Sequence, residues 1–397
     1  MTDFHAAPNS WPRKQLKWAV TFQRGHDLPD DVREEGPVPV YAGGGITGWH
    51  KEPCAIPPGI VTGRYGTIGE FHLVSTPYWP LNTALYSIEL HGNEPDYLRY
   101  LLEYVAPLFH VHAGKSAVPG VDRNDVHTIP VALPGREQQR CIASFLGSET
   151  RRIDGLLATK QCLLDLLAEK RKAIIAMAVT RGLDPKAKLR DTGVPWLGNI
   201  PAHWETERAR WLFRERDVRS ETGDEELLTV SHLTGVTLRS EKDVNMFEAE
   251  TNEGYKLCEP SDLVINTLWA WMGAMGIAPV KGIVSPAYNV YEPGPRLAPA
   301  YIDALVRLPV FAQEVTRYSK GVWSSRLRLY PEGFFEVYLP IPPMEEQNAI
   351  VEHVARETAK LNAVRAATER TISLLKERRA VLIAAAVTGQ LDVGAAT

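Results

Sequence analysis

The chain has 397 residues, 44% of them apolar and 23% charged, with a formal net charge of −4. That is enough for two or more domains with their own cores, and it excludes collagen-like, low-complexity and disordered classes. No apolar run reaches the ~18 residues of a membrane span and residues 1–15 lack a secretory apolar core, so a cytoplasmic, membrane-free location is expected. Cys54, Cys141, Cys162 and Cys258 are scattered without CxxC spacing, which argues against a disulfide frame or a zinc site.

Residues 1–133 read as a first globular segment. Strands are expected over 16–22, 37–41 and 56–61, and a helix over 95–108 with Leu98, Leu101, Leu102 and Val105 on one face. Gly43-Gly44-Gly45-Ile46-Thr47-Gly48 formally contains G-x-G-x-x-G. No apolar helix follows it, so a loop is expected instead of a dinucleotide fingerprint. Gly114-Lys115-Ser116 lacks the earlier glycine of a phosphate loop, because Phe109 stands there. His110 and His112 have no third ligand nearby, and no catalytic or metal-binding constellation emerges elsewhere.

Residues 134–183 read as one long helix, stopped near Gly182. Apolar residues recur in steps of three and four at Ile142, Leu146, Ile153, Leu156, Leu163, Leu167, Ile174 and Met177. Glu149, Lys160 and Lys170 interrupt the stripe. A helix this long with a single apolar stripe needs a partner. The chain itself provides one, because residues 134–184 lie on 342–392 without a gap and 18 of the 51 positions are identical. The second copy has its interruptions at the equivalent Glu357, Thr368 and Arg378, which suggests that these polar residues set the register of the pair.

Residues 184–203, rich in Pro and Gly, read as a linker. The plan then restarts over 204–341. Trp204 and Trp211 repeat the spacing of Trp11 and Trp18. A strand is expected over 263–266, followed by a turn holding Trp269 and Trp271, and a helix over 299–306. The second long helix covers 342–392, and 393–397 form a tail. The expected fold is α/β (α+β), with two globular domains alternating with two long helices in a pseudo-twofold internal repeat. The helices pair as a coiled coil. Such a protein looks like a constant frame carrying two variable readers. Residues 1–133 carry 10 basic and 14 acidic side chains and 191–341 carry 15 and 21, whereas 134–190 carry 12 and 6. Acidic globes count against a protein that holds nucleic acid unaided. They leave open a scaffold with two ligand- or protein-binding domains and no DNA role.

Several stretches together resemble the specificity subunits of type I restriction–modification systems. They are Leu133-Pro134 with Glu137-Gln138-Gln139, Ile341-Pro342-Pro343 with Glu345-Glu346-Gln347, the block 193–204, the turn 64–69 and the stretch 283–288. The N-terminus keeps Trp11 but has no Pro-Trp-Leu-Gly block before it. The resemblance implies two target-recognition domains, each reading half of a split double-stranded DNA site, with the helices paired as an antiparallel coiled coil that acts as a ruler. It implies a chain without catalysis of its own. Two adenine-N6 methyltransferase subunits using S-adenosylmethionine would join it, together with restriction/translocase subunits using ATP and Mg. DNA contacts are expected from loop residues Lys51, Arg64, Tyr65, Lys115 and Arg123 in the first reader. In the second they are expected from Trp269, Lys320, Arg326 and Arg328. Partner contacts are expected from Lys170, Arg171, Lys172, Arg378 and Arg379 on the outer helix faces.

Overall fold

The computed structural model describes residue 4 and residues 7–113, 120–242, 251–321 and 327–393. The chain forms two compact units. The first comprises residues 1–162 and 368–397, the second residues 163–367.

The first unit centres on a four-stranded antiparallel sheet in the order Thr21–Arg24, Ala84–Glu89, Gly59–Gly63, Phe71–Val74. Both faces of the sheet are covered. Alternation along the strands puts Phe22, Ile60 and Leu85 into the main core, beneath helix α1 (Pro95–Ala113). Val61, Val74, Ala84 and Tyr86 go to the opposite face, against Tyr78, Ala55 and Tyr41. A short helix α2 (Arg123–His127) and the strand pair Arg13–Gln15 with Pro130–Ala132 close the unit below the first long helix.

Gly45–His50 is a strand and not the loop expected from its glycines. It pairs with Val38–Ala42 in a hairpin, and Gly43-Gly44 makes the turn. The glycines serve close packing here. A Cβ on Gly43 would fall 2.4 Å from the Gly63 Cα and 2.3 Å from the Thr67 hydroxyl.

The second unit repeats the plan. Its four-stranded sheet runs Phe213–Arg216, Tyr288–Pro293, Leu263–Asn266, Met275–Ile277, again all antiparallel. Leu263, Ile265 and Tyr291 face the helices, while Val264 and Val290 face a second small core. The helix layer is split into α4 (Pro299–Val306) and α5 (Pro309–Arg317). Leu308 precedes a proline and is extended, with φ −68° and ψ 138°, which ends α4 there. A one-turn helix α6 (Pro331–Phe334) precedes the last strand. The 184–203 segment is folded, since Leu189–Asp191 pairs with Asn199–Pro201 and places Leu197 and Ile200 in the core.

The long helices are α3 (Arg136–Arg181) and α7 (Met344–Val387). Each unit takes the start of one and the end of the other. In the first unit Ile142 and Leu146 of α3 share a core with Ile383, Ala386 and Val387 of α7, and Asp154 pairs with Arg379 at 2.9 Å. Partners thus descend on α3 as they ascend on α7, so the helices run antiparallel. In the second unit Ala178 and Val179 of α3 share a core with Ile350 of α7.

The seam departs from its expected positions toward the end of α3. Leu156 and Met177 are 43% and 62% exposed, while Ala178 and Val179 are buried. A straight helix of 3.6 residues per turn drifts from a 3.5-residue stripe, so the buried strip moves around α3. Two of the polar interruptions make ion pairs along their own helices. Glu149 pairs with Arg152 at 3.5 Å, and Glu357 with Lys360 at 2.8 Å, each within its own helix. Thr368 is buried, and so is Thr150, next to Glu149. The Thr150 hydroxyl lies 2.9 Å from the Tyr100 hydroxyl and donates to the Leu146 carbonyl.

Candidate nucleic-acid interface

In both units the central sheet strand runs into a tight turn at one end of the sheet. In the first, Gly59–Gly63 leads into Arg64-Tyr65-Gly66. The backbone of Arg64 is fixed on both sides, its N–H donating to the Thr83 carbonyl and its carbonyl accepting from the Val121 N–H, both at 3.0 Å. The guanidinium donates weakly to the Asn82 carbonyl at 3.4 Å and lies 5.1 Å from the Tyr65 ring centre. Tyr65 is 45% exposed, and its ring packs on Gly120, where a Cβ would sit 2.4 Å from it. Arg123 opens α2 on the surface, two residues past Val121.

The second unit reproduces this arrangement with different side chains. Leu263–Asn266 leads into Thr267, whose carbonyl accepts from the Leu329 N–H at 3.1 Å, as Arg64 does from Val121. Trp269, one position beyond the counterpart of Tyr65, is the exposed aromatic of this turn. It is 49% exposed and stacks nearly parallel on Trp271, with ring centres 6.4 Å apart. The Trp271 indole N–H donates to the Leu268 carbonyl at 3.0 Å, which anchors the pair to its turn. Lys320 and Arg328 exchange two backbone bonds of 2.9 Å, and both side chains are exposed, one residue from Leu329. The Lys320 ammonium reaches Glu332 at 3.3 Å.

The structure thus groups Arg64, Tyr65 and Arg123 in one unit and Trp269, Lys320 and Arg328 in the other. It does not bring Lys51 to the same place. Lys51 follows the strand Gly45–His50, at the end of the hairpin away from the Gly43-Gly44 turn, and pairs there with Glu34 at 3.3 Å. Lys115 and Arg326 lie outside the described residues. Lys170, Arg171, Lys172 and Arg378 are exposed on the helices. Arg379 is instead turned inward, bonded to Glu103 and Asp154. Exposed Ile46 and Trp49 on the first unit's hairpin, and Leu233 between the paired strands Leu228–Ser231 and Gly235–Leu238 of the second, were not singled out from the sequence. Alternation along a strand would have marked Ile46, had Gly45–His50 been read as one.

The frame holds each unit through one repeated glutamine. Gln139, buried near the start of α3, accepts from the Glu94 N–H at 2.9 Å and donates to Asn93 Oδ1 and the Pro134 carbonyl. Gln347 does the same in the second unit. It accepts from the Ala298 N–H at 2.8 Å and donates to the Arg296 and Pro342 carbonyls.

No protein-family model matches the chain. Over 287 residues it is 23% identical to the type I restriction enzyme EcoBI specificity subunit of Escherichia coli, a stretch covering 65% of this chain and 58% of that relative. The match therefore spans less than two thirds of the relative's own length. A structure solved for the complex assembly and conformational transition of a type I restriction–modification system superposes with a TM-score of 0.72. Its sequence identity is 16%, over 97% of this chain and 99% of that one. The chain has the fold of a type I restriction specificity subunit. The HsdS subunit of Thermoanaerobacter tengcongensis also aligns, with a TM-score of 0.53 and 15% identity over 97% of this chain and 98% of its own. In this fold the two strand-end turns are positions where the repeated plan exposes aromatic side chains with cations nearby. No helix among the described residues is long and apolar enough to cross a membrane.

Proposed function

We propose that the chain is the non-catalytic specificity subunit of a type I restriction–modification complex, reading a bipartite DNA site with one half-site per unit. The observation that carries this reading is the repetition of one exposed turn. Tyr65 and Trp269 stand two and three residues past the central strand, on turns whose first residue, Arg64 or Thr267, is tied by a backbone bond to the segment carrying Arg123 or Arg328. The frame beneath is repeated as well, down to the bonds of Gln139 and Gln347. A constant frame with changed side chains at one turn is what a reader of two different half-sites requires, because base edges carry specificity and phosphates carry affinity. The acidic units fit a complex in which partners provide most of the phosphate contacts. Those partners are two adenine-N6 methyltransferase subunits using S-adenosylmethionine and translocating nuclease subunits using ATP and Mg. The complex works in the cytoplasm, with the antiparallel helices as spacer.

The test is co-expression with the accompanying methyltransferase, followed by single-molecule sequencing of the host genome. The expected result is a split motif with a fixed unspecified spacer, modified only when this chain is present. A stable complex without any chain-dependent modification would overturn the proposal.

A further inference from the structure

Each unit lays a β-hairpin over the edge strand of its central sheet. In the first unit it is Val38–Ala42 with Gly45–His50, beside Phe71–Val74. In the second it is Leu228–Ser231 with Gly235–Leu238, beside Met275–Ile277. The two hairpins are seated at the same point. A Cβ on Gly45 would fall 3.5 Å from the His72 ring, and one on Gly276 would fall 3.4 Å from the Gly235 Cα. His72 pairs with Val61 and Gly276 with Val264, each three residues before the first residue of the reading turn, Arg64 or Thr267.

That seat brings each hairpin tip to the turn already described. Gly43 packs on Gly63 and Thr67, and its carbonyl lies 3.2 Å from His72 Nε2. Ile46 and Tyr65 stand three and two residues from these touching glycines, so their Cα atoms lie within roughly 22 Å of each other. In the second unit the Leu233 carbonyl accepts from the Arg307 guanidinium at 3.0 Å, which fixes the tip. The Trp269 carbonyl accepts from the Ala274 N–H at 3.1 Å, closing its turn at the start of the same edge strand.

The tips share chemistry as well as place. Ile46 is 51% exposed and Leu233 74% exposed. Residues 36–50 contain no Asp, Glu, Lys or Arg, and neither do residues 227–238, although the globular segments around them are acidic. A lone exposed aliphatic is ordinary surface. Here it recurs in two diverged units, on an uncharged hairpin, beside a turn bearing an exposed aromatic. A tip without carboxylates meets no repulsion from a phosphate backbone, and a tip without cations gains nothing from it. What such a tip can bury is the one apolar group on a base edge, the C5-methyl of thymine, in the groove that admits a two-stranded ribbon.

Resting on the specificity-subunit reading, we propose that Ile46 and Leu233 are specificity-determining residues, each reading the methyl group of one thymine from the major groove of its half-site. A half-site with a modifiable adenine has a thymine opposite it, so the methyl group is present in both. Tyr65 and Trp269 supply a second contact to the same half-sites.

The experiment takes the complex of the full chain with its methyltransferase, and duplex DNA bearing the split site found by modification mapping. Thymidine is replaced by deoxyuridine one position at a time, which removes only the methyl group, and the affinity for each duplex is measured. Burying one methyl group is worth about a fourfold change in affinity. The wild-type complex is expected to bind about fourfold more weakly at one replaced position in each half-site. Ile46→Ala should erase that sensitivity in one half-site and Leu233→Ala in the other. Ile46→Leu should retain it, and Tyr65→Ala should leave it in place. Melting should be unchanged, since both side chains are exposed. A wild-type complex indifferent to uracil, or variants that keep the wild-type response at every position, would overturn the inference and leave the specificity reading standing. So would an affinity loss equal on thymine and uracil duplexes, which makes the tips wedges or general contacts. Loss of methyltransferase uptake by the variants would overturn it too, by moving the tips to the protein partner. A map without any chain-dependent split motif overturns the reading and the inference together.

Discussion

Gln139 and Gln347 show how much one side chain can hold. Each is at most 2% exposed and makes three hydrogen bonds, two of which tie the start of a long helix to the loop before its unit's first core helix. Removing the amide leaves buried backbone donors and acceptors without partners, at ~1–3 kcal/mol each where water cannot replace it. Gln139→Ala should lower the stability of the first unit by roughly 2–4 kcal/mol and Gln347→Ala that of the second, each read as one shifted transition in calorimetry. His127 predicts a pH effect. Its Nε2 accepts the Phe22 N–H at 2.9 Å, and burial, then Arg123 and Lys17, hold its pKa below the ordinary value. A depressed histidine is neutral in the fold and charges more readily in the unfolded chain. Its contribution is present above the ordinary histidine range and is lost as pH falls through the folded pKa. The melting temperature of the first unit should therefore fall on acidification below about pH 6.5, and His127→Gln should flatten that slope. At the turns, Tyr65→Ala and Trp269→Ala should each relax recognition of one half-site by about 1–3 kcal/mol. Melting should not change, and equal loss at both half-sites in a binding assay would contradict the assignment.

At the scale of elements, the long helices depend on what packs against them. Ile142, Leu146, Ile383 and Val387 are buried where the first unit covers them, whereas Leu156, Leu166, Val364 and Leu374 stay at least 43% exposed along the middle of the pair. A two-helix seam covers only a narrow strip, so the ends supply most of the burial. Ile383→Ala should cost the first unit about 2–4 kcal/mol, while Leu374→Ala should cost less than about 0.5 kcal/mol. Urea titration of the two variants checks the contrast. Arg379 was expected on an outer face because it follows Arg378 in a charged run. The helix turns about 100° per residue, so one arginine faces water and its neighbour meets Glu103 and Asp154. Sequence spacing contained that distinction only once the partner face was known.

For the whole molecule, each unit is closed by the far end of the chain's other helix. Gly182, at φ +75°, ends α3 against Trp204, and Gly389, at φ +71°, follows α7 against Pro8 and Trp11. Truncation after Ala367 removes Ile383, Ala386 and Val387 from the first core. It should abolish hydrogen-exchange protection of the 59–63 strand while the 263–266 strand stays protected. The amino-acid sequence by itself determined the duplication, the two long helices, the strand at 263–266, the helix at 299–306 and the order of segments. These rest on local periodicity and on self-similarity, which survive without knowing any contact. Tertiary structure decided the rest. It paired the start of each helix with the end of the other, turned Gly45–His50 into a strand, folded 184–203 into a hairpin and took Lys51 and Arg379 away from their expected places. Those outcomes depend on strand register and on which face of an element is covered, and both are settled by residues distant in sequence.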